Sequence, residues 1–115
     1  MSIERLHVGP RMSQAVIHND TIYLAGQVAK DLSADVAGQT AQILEQIDGL
    51  LAEAGSDKTK ILMATIWLSD IATFGEMNGA WDPWAPEGHT AARACVESKL
   101  ATPDYKVEIR VVAAR

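Results

Sequence analysis

One cysteine, Cys95, stands alone among 115 residues, which excludes an internal disulfide and a Cys-rich zinc cage. Basic residues are also in short supply. Ten Lys and Arg face 15 Asp and Glu, for a formal net charge of −5. Nucleic-acid affinity rests largely on phosphate neutralisation, and no Lys/Arg run forms a local patch, so the balance argues against a nucleic-acid partner. His7, His18 and His89 are scattered without metal-ligand spacing, and nothing supports a metal site. Gly26 is isolated, with no phosphate-cradling glycine loop around it. No segment approaches membrane-spanning length, and Met1-Ser-Ile-Glu-Arg-Leu-His7 lacks the apolar run of a signal peptide. The expectation is a cytoplasmic protein with no membrane partner.

What remains is ordinary globular material. Hydrophobic residues make up 48% and charged residues 22%, in one domain over 1–115 with no repeat, linker or low-complexity stretch. Ser13 to His18 and Thr21 to Gly26 are short β-rich runs around Asn19-Asp20, a hairpin turn. From Val36 the period becomes helical. Val36, Thr40, Ile43, Leu44, Ile47, Leu50, Leu51 and Ala54 form one stripe, with Ser33 or Asp35 as cap and Gly55 as left-handed stop. Ile61 to Leu68 carries no charge and reads as a central strand covered on both faces. Thr73-Phe-Gly-Glu76 has capping-box spacing and opens a second helix, with Phe74, Met77 and Trp81 on its apolar face and Pro83 and Pro86 ending it.

Two closing strands follow, His89–Glu97 and Lys106–Ala113. The order strand, strand, helix, strand, helix, strand, strand implies right-handed crossovers with both helices on one face of a mixed sheet. The other face, if apolar, needs a partner, which predicts an α+β sandwich that oligomerises through its open face.

Each closing strand holds a charge among apolar neighbours: Arg93 beside Ala92, Ala94, Cys95 and Val96, and Glu108 between Val107 and Ile109. If the two strands form a hairpin, Arg93 and Glu108 stand opposite one another as a cross-strand ion pair that needs no function. The other reading is a site, in which the planar fork of Arg93 holds a substrate carboxylate and Glu108 holds a water or moves a proton beside it. Cys95 shares the strand face of Arg93 and reads as a small hydrophobe, since no partnered His marks it as a nucleophile. Asn78 is either a boundary residue bonded to backbone or a polar group turned into a subunit cleft. Gly26 either ends a strand or lets a ligand approach the backbone. Trp67, Trp81 and Trp84 read as core and interface residues, because Trp81-Asp-Pro-Trp84 has an acid where nucleotide stacking would want a base.

Gly9-Pro10, Ala25-Gly-Gln27, Asn78, Ala92-Arg-Ala-Cys-Val-Glu97 and Val107-Glu-Ile109 recur in an order that resembles the RidA/YjgF family of enamine/imine deaminases, in a shorter branch. The resemblance runs through nearly the whole chain. It implies a chorismate-mutase-like α+β fold and a homotrimer with sites in the clefts between subunits. It also implies that Arg93 clamps a small substrate carboxylate, Glu108 positions water, and Gly26, Asn78 and Cys95 line the pocket. The implied reaction is the cofactor-free hydrolysis of short 2-imino or 2-enamino acids, of the 2-aminoacrylate and 2-iminobutyrate type, to a 2-keto acid and ammonia. Two alternatives stand beside it: a non-catalytic carboxylate-binding or regulatory module of the same fold, and an RNA-cleaving translation inhibitor, against which the acidic balance counts. The chain departs from the family pattern at Arg11-Met12, where a pocket tyrosine is usual, at Ala25, at Ala91 and at Arg110. Arg110 would compete for Glu108.

Overall fold

In the computed structural model, which describes residues 2–115, Asn19 at φ 55° turns the chain between β2 (Ala15–His18) and β3 (Thr21–Leu24). The expected hairpin is there, with shorter strands. Ahead of it lies β1 (Ile3–Leu6), an additional strand paired antiparallel to β2 at the sheet edge. Its four residues include Glu4 and Arg5, and Ile3 is 49% exposed, so its sequence carries little apolar signal.

The helix α1 (Val36–Glu53) starts where the Asp35 side chain accepts the Gly38 N–H at 2.8 Å. It stops at Gly55, whose φ of 82° favours glycine. The expected stripe from Val36 to Ala54 is buried against the sheet. The strand β4 (Ile61–Leu68) follows, then α2 (Phe74–Trp84), β5 (Ala92–Glu97) and β6 (Val107–Ala114).

The start of α2 differs from the capping-box expectation. The Thr73 hydroxyl donates to the Asp70 carbonyl at 2.6 Å, and the Glu76 carboxylate accepts from the Ala37 N–H of α1 at 3.1 Å. Glu76 thus serves the neighbouring helix. Pro83 lies inside the last turn and does not end the helix. The end comes at Ala85, extended at ψ 128° because Pro86 disfavours the α region before it. Met77 and Trp81 are buried as expected, but Phe74 is 41% exposed.

The sheet order is β1-β2-β3-β6-β4-β5. Consequently β5 and β6 are not a hairpin. β5 runs parallel to β4 at the edge, and β6 runs antiparallel between β3 and β4. Side-chain character explains the exchange. Val107, Ile109, Val111 and Ala113 of β6 are fully buried beneath the helices and suit an interior strand, whereas small, charged and exposed β5 suits an edge.

Both helices cover one face, where Ile22, Ile43, Ile47, Leu51, Ile66, Leu68 and Ile109 form the core. In the single chain β4 is covered on that face only. Ile61, Ala64, Ile66 and Leu68 are buried, while Met63 on the other side is 44% exposed. The pairings place Val16, Tyr23, Val112, Met63, Trp67 and Val96 together on this second face. An apolar patch of this kind is open to a partner.

Candidate functional site

Arg93 stands at the β5 edge in register with Ala64 of β4, on the face covered by the helices. The adjacent surface of α2 is built by residues 74, 78 and 81, spaced at i, i+4 and i+7 so that they share one stripe. Arg93 Nη1 donates to Asn78 Oδ1 at 2.8 Å. Its Cζ lies 5.2 Å from the Trp81 ring centroid and 5.7 Å from that of Phe74, within cation–π range of both. Asn78 therefore bonds the guanidinium, and the backbone-bonded boundary reading of it falls away. Among the described residues the ion pairs are His7–Glu53 and Arg115–Glu4, so Arg93 is oriented but has no carboxylate partner.

Beside Arg93 opens a cavity of about 120 Å³, walled by Ile61, Trp81, Trp84 and Ala91, with Lys58 also on its lining. Trp81 and Trp84 meet edge to face with ring centroids 5.1 Å apart. Cys95, two residues along from Arg93, faces the same side and is half-buried against the core. Burial pushes its thiol pKa up, and the Arg93 charge opposes that shift without reversing it. A protonated thiol suits a pocket wall, not a nucleophile.

Glu108 occupies a different place. It pairs with Trp67 of β4, which on its other side pairs with Val96 of β5. Arg93 is three positions away along this ladder, an odd number, so the two side chains leave opposite faces of the sheet. With β4 between their strands, the two backbones are roughly 10 Å apart across the sheet and about 10 Å along it. The cross-strand ion pair expected from a hairpin does not exist.

Glu108 lies over Gly26. Between Tyr23↔Val112 and Gln27↔Ile109, residues 24, 25 and 26 oppose only 110 and 111, which is a bulge. Gln27 closes it with backbone bonds of 2.8 and 3.1 Å to Ile109. A Cβ on Gly26 would come within 2.9 Å of Glu108 Cδ and closer still to the carboxylate oxygen. The missing side chain is what lets the carboxylate rest there. Burial pushes the Glu108 pKa up, and no ion pair, with Arg110 or otherwise, offsets it among the described residues.

The predicted residues thus fall into two halves: Arg93, Asn78 and Cys95 on the helix side at one edge, Gly26 and Glu108 on the open face. Phe74, Trp81 and Lys58 join the first half unannounced. The i, i+4, i+7 spacing of Phe74, Asn78 and Trp81 is the signal that could have found two of them. Among the described residues no three His, Cys, Asp or Glu are grouped to hold a metal, and no helix is long and apolar enough to cross a membrane.

Residues 3–115 match the family described as Endoribonuclease L-PSP. The chain is 48% identical over 114 residues to the RutC family protein YoaB of Escherichia coli (strain K12), covering 99% of both chains. It superimposes with a TM-score of 0.97 on NMB1025 of Neisseria meningitidis, a member of the YjgF protein family, at 47% identity over 100% of this chain and 96% of the other. YyfA of Yersinia pestis, from the Rid protein family, gives a TM-score of 0.84 at 32% identity, covering 94% and 90%.

Proposed function

The chain belongs to the Endoribonuclease L-PSP family, which includes the RutC and YjgF proteins, and on that premise we propose that it is a cofactor-free hydrolytic deaminase of short 2-imino and 2-enamino acids. One observation carries the reading: Arg93 is held by Asn78, Trp81 and Phe74, yet has no carboxylate of its own. Four of its five N–H donors are left for a planar anion, the geometry a substrate carboxylate accepts as a bidentate pair.

Glu108 supplies the complementary chemistry. Its raised pKa suits a group that takes a proton from water and returns it within one turnover. Water adds to the imine carbon while Glu108 takes a proton. Nitrogen takes that proton to give the carbinolamine, whose hydroxyl proton then passes through Glu108 to nitrogen as the C=O forms and the C–N bond breaks, so ammonia leaves with a 2-keto acid. An enamine first takes a proton at carbon to become the imine. The imine carbon is already electrophilic, so orientation and charge placement are the help required.

The two halves lie on opposite faces of one chain, so they meet only if the Arg93 edge of one subunit approaches the open face of another. We therefore place the site between subunits of a homotrimer. The apolar open face, with Met63 and Val96 each more than 40% exposed, supplies a surface for that contact. Ribonuclease action, the activity in the family's description, is disfavoured by the net charge of −5 and the absence of any Lys/Arg run in the sequence.

The test is to generate 2-aminoacrylate in situ with a serine dehydratase and follow its decay. Native protein should accelerate decay, and Arg93→Ala and Glu108→Gln should not. No acceleration by native protein would leave the non-catalytic carboxylate-binding module as the surviving reading.

A further inference from the structure

The cavity beside Arg93 holds a second cation that the hydrolysis does not use. Lys58 Nζ donates to the Trp84 carbonyl at 2.6 Å and lies 5.3 Å from the Trp84 ring centroid. Trp84 is fixed in turn, its Nε1 donating to Asp48 Oδ2 at 3.0 Å. No Asp or Glu lines the cavity. Lys58 and Arg93 are therefore the only charged groups on its wall, and neither is in an ion pair among the described residues. Lys58 is held by the carbonyl at the C-terminal end of α2 and by the Trp84 ring, and Arg93 by Asn78 and two rings, so two cations share one small apolar-walled cavity with no carboxylate on its wall.

We propose that this cavity takes a dianion, and that the preferred substrate is a 2-imino acid carrying a second carboxylate on a short side chain. The proposal rests on the deaminase reading for its chemistry, but its binding half stands on the two cations. Arg93 takes the α-carboxylate bidentately. Lys58, with two N–H donors left after the bond to Trp84, takes the distal carboxylate. Trp81 and Trp84 wall the methylenes between and keep water from screening the charges. The small cavity, about 120 Å³, suits a short spacer of one or two carbons. A substrate with an uncharged side chain binds through Arg93 alone.

Stable product analogues separate binding from turnover. Titration calorimetry with oxaloacetate, 2-oxoglutarate and pyruvate on native protein should give about tenfold tighter binding of the better dicarboxylate than of pyruvate, the value of one further charge-assisted hydrogen bond. Lys58→Gln, which keeps a donor for the Trp84 carbonyl, should erase most of that preference, and Lys58→Arg should retain it. Melting curves check that both variants are folded. Equal affinities in native protein, no binding of either class, or a preference that survives in Lys58→Gln each overturn the proposal. If dicarboxylates bind preferentially but no imine is hydrolysed, the deaminase reading fails and the dianion site stands. If 2-iminopropanoate is hydrolysed without dicarboxylate preference, the reverse holds.

Discussion

Arg93 and Glu108 leave opposite faces of the same sheet, Arg93 in line with Ala64 beneath the helices and Glu108 in line with Trp67 on the open side. The relationship follows from the insertion of β6 between β3 and β4, and from the odd offset of three residues between the two rungs. It removes the ion pair as an explanation for either charge. It also divides any site that uses both residues between two copies of the chain.

Replacing Arg93 tests the carboxylate clamp. Arg93→Lys keeps the charge but loses the planar fork, and should lower kcat/KM by about a hundredfold. Phe74→Leu should lower it several-fold, mainly through KM, with little change in Tm because the ring is 41% exposed. An equal loss of Tm and activity in Phe74→Leu would mark the ring as packing alone.

The raised pKa of Glu108 has two consequences with opposite signs. As a base it must be ionised, so kcat/KM should fall as pH drops through a value raised above that of an exposed glutamate. For stability, the folded state holds the proton more tightly than the unfolded chain does. That contribution is fully present below the unfolded pKa and is lost as pH rises through the folded one. Glu108→Gln should therefore be inactive yet melt higher than native near neutral pH, with the gap closing in acid. Melting curves across that range check it, and a lower Tm for Glu108→Gln at neutral pH would contradict the burial argument.

Gly26→Ala isolates the seat of Glu108. The new methyl meets the end of a movable side chain, and Gly26 has no backbone conformation that demands glycine, so the fold should tolerate it. Tm should change by only a few degrees. Activity should fall at least tenfold, because a displaced carboxylate no longer addresses the reacting carbon. Full activity in Gly26→Ala would mean that the resting place of Glu108 is irrelevant.

The open face can be tested with one charge. Met63→Lys places an ammonium beside Val112 on the open face and should convert the assembly to monomers by light scattering, with unchanged far-UV circular dichroism. Activity should disappear with the assembly. A fully active monomer would rule out a shared site.

Much of the fold was legible because its signals are local. The stripe from Val36 to Ala54, the Asp35 cap and the Gly55 stop are set by nearest neighbours, and Val107, Ile109 and Val111 alternate along β6 as its one buried face requires. Strand pairing is not local. Residues 92–97 suit an edge and 107–114 an interior strand, but neither names the strand it pairs with, so Arg93 and Glu108 were set side by side. Short, charged Ile3–Leu6 gave no period to read, and Glu76 caps α1 from a distance of 39 residues in sequence. Arg93, Glu108 and Gly26 stood out by residue type and context. Lys58 did not, since a lysine in a polar turn is unremarkable until Trp84 is seen folded against it.

The central claim, that one site draws Arg93 and Glu108 from different subunits, is tested most directly by mixing two inactive variants. Arg93→Ala and Glu108→Gln proteins, dissociated together and reassembled in equal amounts, should regain about a quarter of native activity, the share of interfaces in a cyclic assembly that receive both intact groups. A reassembled mixture as inactive as its two components would contradict the account.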